Sequence, residues 1–221
     1  MPDNIISKLT ELLLTVPIVL ISLTVHEVAH GYAAYKLGDD TAKERGRLSL
    51  NPLRHLDPIG AICMLLFGYG WAKPVPINCA RFKNPKRDMA ISALAGPTSN
   101  FMMAFFARFI VLTLYSNFPA VEGFLFNLLY VTLIFFEFFY ILNISLCIFN
   151  LIPIPPLDGS RILLLFLPEK HYFGIMRYER IIMLTLLVAL SIGLLDIPLN
   201  LAANGITWCF DSLFSLLPFI N

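Results

Sequence analysis

Charge is scarce in this chain. Of its 221 residues 14% are Asp, Glu, Lys or Arg and 57% are apolar, and with a mean hydropathy of +0.74 that scarcity excludes an ordinary soluble domain. Neither charge sign dominates: the net charge is +1, and nothing in it asks for a nucleic-acid partner. The four cysteines, Cys63, Cys79, Cys147 and Cys209, show no C-x-x-C spacing. That excludes a cysteine-built zinc site, and they read as reduced packing residues. Internal repeats are missing, as is a segment long and polar enough to form a separate soluble domain. The first apolar run lacks a basic start and a small-residue cleavage site, so it reads as a membrane helix rather than a removable signal.

An integral membrane protein remains, and its charges orient it. Ten of the 16 Lys and Arg fall between Lys36 and Arg87, so the positive-inside rule turns that region toward the cytoplasm. Apolar runs predict a helix from about Ile5 to Leu37, roughly 50 Å long at 1.5 Å per residue, with Leu12 to Tyr35 crossing the bilayer. A second membrane helix is expected over Asp88–Tyr115 and a third over Phe124–Asn150, where Pro153, Pro155 and Pro156 break the pattern. Ile181–Leu195 and Ile197–Phe219 make further, peripheral segments. Between the first two spans, Gly46-Arg47-Leu48-Ser49-Leu50-Asn51-Pro52 and Trp71-Ala72-Lys73-Pro74-Val75-Pro76 suggest short cytoplasmic β segments. They flank Ile59–Gly70, apolar but too short to span, which reads as re-entrant. The fold class is thus an all-α polytopic membrane protein, three core helices with one to three peripheral ones. It forms one domain over 1–221, with a catalytic core near 10–165 and peripheral helices near 174–219.

Within the first span lies His26-Glu27-Val28-Ala29-His30. Residues four apart share a helix face, so His26 and His30 can aim imidazole nitrogens at one Zn²⁺. Glu27, turned about 100° around the helix, stands where a carboxylate could take a proton from water. H-E-x-x-H is a loose pattern, and two histidines and a glutamate on the polar face of an ordinary helix also satisfy it. Inside an apolar span, however, ionisable groups cost several kcal/mol unless they are partnered and functional. With Lys36 at the cytoplasmic end, His30 lies roughly 9 Å and His26 roughly 15 Å inward.

A catalytic zinc takes three protein ligands and keeps one position open. Asp158 is the best candidate for the third, because it follows the proline break at the cytoplasmic end of the third span and so arrives at the depth of the histidines. Asp158 could also cap a helix starting at Ser160, and the two roles are compatible. Asn150, before the break, could donate to a developing oxyanion or satisfy carbonyls freed by Pro153. Gly96, Pro97 and Asn100 either loosen the second helix and turn a polar group to the first, or serve small-residue packing. His55 reads as loop surface or as a group near the site. Arg108 reads as snorkelling outward or as pairing with Glu137.

His26-Glu27-Val28-Ala29-His30, Ala95-Gly96-Pro97-Thr98-Ser99-Asn100 and Asn150-Leu151-Ile152-Pro153-Ile154-Pro155-Pro156-Leu157-Asp158-Gly159 resemble, in order and spacing, the three signatures of the site-2 proteases, the intramembrane zinc metalloproteases. The resemblance covers roughly residues 10 to 165 and is similar to the compact prokaryotic members. It implies one Zn²⁺ per chain held by His26, His30 and Asp158, Glu27 as catalytic base, and membrane-protein substrates with a transmembrane helix. It also implies a prokaryotic cytoplasmic membrane, with the active site within the bilayer toward the cytoplasmic side. The competing function is a proteolytically inactive membrane scaffold of the same fold; an inactive relative is expected to lose Glu27 or a ligand, and none is lost here. A metal transporter would want ligands repeated across the bilayer, which the outer halves of these helices do not offer.

Overall fold

The structure is a computed structural model that describes residues 2–58, 60, 72–117, 122–163 and 165–220. Its elements are α1 (Pro2–Lys36), α2 (Thr41–Glu44), α3 (Pro85–Ser116), α4 (Phe124–Leu151), α5 (Asp158–Leu163), α6 (Glu169–Met176), α7 (Glu179–Ser191) and α8 (Asp196–Phe214). Leu12–Lys36 of α1, together with α3 and α4, is long and apolar enough to cross a membrane. The helices α7 and α8 form one further candidate span, bent by 79°. The bend falls at Ile192–Leu195, where Gly193 takes φ 73°.

The three spans pack on one another. Ala104 and Ala107 of α3 are fully buried against Ile18 of α1 and Phe139, Tyr140 and Ile144 of α4. In lipid no water is expelled when helices meet, so close backbone approach over such small residues is what supplies the attraction. On the outside of this trio α8 is held by aromatic contacts, Phe210 standing 5.2 Å from both Phe101 and Phe105 between ring centroids.

The first span ends as its sequence dictates. Gly38 adopts φ 108°, and the N–H groups of Gly38 and Asp39 return to the carbonyls of Tyr35 and Ala34, closing the helix in a Schellman turn. Asp39, fully buried, then accepts from Thr41 N and Asn78 N at 3.0 and 2.6 Å, tying the helix end to the loop that follows. Burial works against the charge of Asp39, but its hydrogen bonds from Thr41 and Asn78 and the field of Arg81 outweigh it and hold the carboxyl below the usual carboxylate range.

Where short β segments are expected, Leu56 and Ala72 form an isolated antiparallel bridge, and no strand occurs among the described residues. Pro52, Pro74 and Pro76 withdraw the donors a ladder would need. The segment is held by single ties instead, Lys73 N to His55 O at 2.8 Å and Arg47 to Lys73 O at 2.6 Å. The expected re-entrant stretch, Ile59–Gly70, lies outside the described residues apart from Gly60.

Arg108 does not snorkel; it pairs with Glu137 as expected, and more closely with a second carboxylate that the sequence did not suggest. Its guanidinium donates to both oxygens of Asp211 on α8, at 2.7 and 2.9 Å, with Glu137 at 3.9 Å and the Tyr140 ring beneath it at 5.3 Å. Bidentate pairing outcompetes extension toward the interface because it satisfies two donors at once. Asp211 remains 40% exposed, which tempers the pair's worth. Asp211→Asn is expected to lower stability by about 1–2 kcal/mol in reversible unfolding from detergent micelles; an unchanged midpoint would show that α8 docks without this pair.

Candidate metal centre

Two turns of α1, the middle of α3 and the first residue of α5 meet at one point. His26 Nε2 stands 2.9 Å from His30 Nε2, and Asp158 Oδ2 lies 3.2 Å from the first and 3.1 Å from the second. All three residues are buried. The helix α5 begins at Asp158 itself, not at Ser160, so its carboxylate is not spent on capping and turns to the imidazoles. It can do so because the chain folds back tightly on the end of α4: a Cβ on Gly159 would sit 2.3 Å from Leu151 O. The facing wall is Gly96, where a Cβ would stand 2.3 Å from His30 Nε2 and 2.7 Å from His26 Cε1. Glycine at 96 therefore makes room for the imidazoles, and α3 runs unbroken through Pro97.

The far nitrogen of each imidazole is committed. His30 Nδ1 lies 2.7 Å from Ser92 O, and a carbonyl only accepts, so that nitrogen carries the proton. His26 Nδ1 lies 2.5 Å from Asn100 Oδ1, whose amide nitrogen donates to Asn143 Oδ1 at 2.8 Å. Asn143 in turn presents its nitrogen to Phe139 O at 2.8 Å. One backbone carbonyl thus sets the direction of the whole chain, and His26 Nδ1 is also a donor.

Both Nε2 atoms, in neutral rings, then point lone pairs at each other and at a carboxylate oxygen. Three such acceptors, within 3.2 Å of one another, repel unless a cation lies between. A proton relieves one pair; a metal ion relieves all three. The ligand atoms of a tetrahedral zinc with bonds of 2.0–2.1 Å stand about 3.3 Å apart, close to what is found, and two imidazoles with a carboxylate are a donor set that zinc takes. The residues fit the ion.

Glu27 receives Val75 N–H on Oε2 at 2.7 Å. Within Pro74-Val75-Pro76 no other residue has a backbone donor to give. The Asn150 amide donates to Leu146 O, one turn back in α4, at 2.9 Å. His55 is buried, not surface, and hydrogen-bonds Ser49 O at 2.8 Å. Of the cysteines, Cys147 is buried while Cys79 and Cys209 are exposed and free, and Cys63 lies outside the described residues. Sequence reasoning passed over Ser92, Asn143 and Val75. Two of these contribute backbone atoms, which leave no residue-type signature, and the signal for Asn143 was an amide in an otherwise apolar helix.

Comparison with known proteins bears on this centre. Residues 128–193, which include Asp158 but not the histidines, match the model of Peptidase family M50. The chain is 45% identical over 145 residues to the Bacillus subtilis protein named "Putative zinc metalloprotease YwhC", covering 65% of this chain and 64% of that one. It is 31% identical over 145 residues to the Mycobacterium tuberculosis protein named "Putative zinc metalloprotease Rip2", covering 63% and 52%. The corresponding protein of Mycolicibacterium smegmatis is 28% identical over the same length. The chain thus spans less than two thirds of the length of the curated relatives it matches. No solved structure matches it. The family-model match and the identity to YwhC thus make this chain similar to peptidase family M50 over part of its length.

Proposed function

We propose that this chain is a zinc endopeptidase cutting peptide bonds within or beside the membrane-spanning segments of other proteins. The observation that carries the reading is the convergence of three buried ligand atoms, His26 Nε2, His30 Nε2 and Asp158 Oδ2, within 3.2 Å of one another, and the names of the bacterial relatives support zinc as the ion. His26, His30 and Asp158 would hold it. A zinc ion there supplies Lewis acidity, polarising a carbonyl and lowering the pKa of water toward ~7.

Glu27 is the base. Val75 N–H occupies Oε2, fixing the carboxylate's orientation and leaving Oε1 to take a proton from the attacking water and return it to the leaving nitrogen. Asn150 would donate to the oxyanion by exchanging Leu146 O for substrate. Since a regular helix hides its peptide bonds, the substrate unwinds at the cut, and helices containing Gly, Pro or Asn are favoured. The lysines and arginines between Lys36 and Arg87 support a centre lying toward the cytoplasmic face of a prokaryotic cytoplasmic membrane. The catalytic core is residues 10–165, with 174–219 as periphery of the same domain.

The test is zinc content of the purified full chain in detergent, alongside cleavage of single-span membrane substrates. Wild type is expected to hold one zinc and cleave; Asp158→Ala is expected to lose most of the zinc and all cleavage. Full zinc in Asp158→Ala would remove that residue from the ligand set. Full zinc in wild type with no substrate cut would leave the inactive scaffold standing in place of the protease.

A further inference from the structure

The interior of the three spans contains a line of polar groups that reaches well past the metal ligands. Ser22 of α1, Asn100 of α3 and Asn143 of α4 each show no accessible surface. Asn143 donates to Ser22 Oγ at 2.9 Å and Phe139 O at 2.8 Å and accepts from Asn100 at 2.8 Å. Polar groups inside a membrane bundle are costly and hold their place when they serve the site. Packing alone does not ask for this set, since an apolar residue of similar volume would fill position 143 without a network to satisfy.

Asn100 touches His26, but an amide alone cannot fix a tautomer. It can turn by 180° and offer its nitrogen, which would move the ring proton to Nε2 and remove a lone pair from the metal site. What prevents the turn is Asn143, itself held one way round because Phe139 O only accepts. We infer that Asn143 is a positioning residue of the metal centre: it acts through Asn100 to keep the His26 proton on Nδ1 and the Nε2 lone pair on the ion. The inference rests on the zinc reading above. It goes beyond it in assigning a role to a residue that touches neither ligand nor metal.

Cobalt(II) titration of the metal-free full chain in detergent, followed by visible absorption and by competition with zinc, tests it without requiring turnover. Asn143→Ala is expected to weaken binding about tenfold, the lower end of what losing an outer-shell partner costs. In an Asn100→Asp background the expectation reverses. A carboxylate has no hydrogen whichever way it turns, so His26 Nδ1 donates regardless, while Asn143 Oδ1 now faces a second acceptor. Removing Asn143 there should leave affinity unchanged or tighter.

Loss of equal size in both backgrounds would overturn the inference, because a merely structural residue is needed whatever stands at 100. So would undiminished binding by Asn143→Ala in the native background. If that variant does not fold, Asn143→Ser, which keeps a donor but is too short to reach both Asn100 and Ser22, takes its place with the same expectations. Failure of wild type itself to bind cobalt or zinc would instead strike the metal reading, and is seen in the first titration.

Discussion

Glu27→Gln is expected to lower the cleavage rate by a factor between about 10² and 10⁴ and to leave the zinc content of the protein untouched. The two halves of that result have separate causes. Glutamine has the shape of glutamate and still offers an oxygen to Val75 N–H, now at 2.7 Å from Glu27 Oε2, so the loop and helix stay as they are. None of the three metal-facing atoms belongs to residue 27. What is lost is a carboxylate that can accept a proton and release it again, since a side-chain amide does neither. Zinc per chain and single-turnover cleavage of a membrane-span substrate measure the two halves independently. Cleavage surviving at the wild-type rate would remove Glu27 from the mechanism; loss of zinc would mean that its charge, and not only its basicity, holds the site together.

Gly96→Ala is expected to weaken metal binding by roughly a hundredfold, the upper end of what disturbing the shell around metal ligands costs. An added methyl would lie 2.3 Å from His30 Nε2, 2.5 Å from His30 Cε1 and 2.7 Å from His26 Cε1. Neither ring can swing clear while its Nδ1 stays on Ser92 O or Asn100 Oδ1. The fold, by contrast, should not suffer locally, because alanine is favoured over glycine in a helix interior by about 1 kcal/mol. Helix content unchanged by circular dichroism with metal lost is therefore the expected pair of observations. Full metal occupancy in Gly96→Ala would show that the imidazoles have more freedom than the packing allows them.

Much of this site is written in residue types. H-E-x-x-H fixes two atoms on one helix face by spacing alone, and the depth of Asp158 follows from counting along two spans that end on the same side of the bilayer. The apolar runs place α1, α3 and α4 nearly to their ends because a bilayer tolerates few alternatives to a helix. What stayed hidden has a common cause. Ser92 O and Val75 N act through the backbone, where every residue looks alike. Gly96 could be seen as a small residue, but whether it loosens α3 or seats the imidazoles depends on which way α3 faces, and apolar helices carry little information about that. Arg108 found its partner 103 residues away, at a distance along the chain where no spacing rule operates. The extended loop pieces were recognisable by their prolines, and those same prolines kept them from forming a sheet.

The Arg108–Asp211 pair also has a history in time. A ribosome delivers Arg108 to the membrane 103 residues before Asp211, which at 5–20 residues per second is an interval of about 5–20 s. During that interval α3 holds a guanidinium whose insertion costs about 2.5–3.5 kcal/mol at mid-bilayer. Glu137, made much sooner and standing 3.9 Å away in the finished protein, is the counter-charge within reach meanwhile. The polar side chains of the last helix therefore complete a membrane insertion begun by the second span, and a nascent chain stopped before α8 would still be carrying its debt.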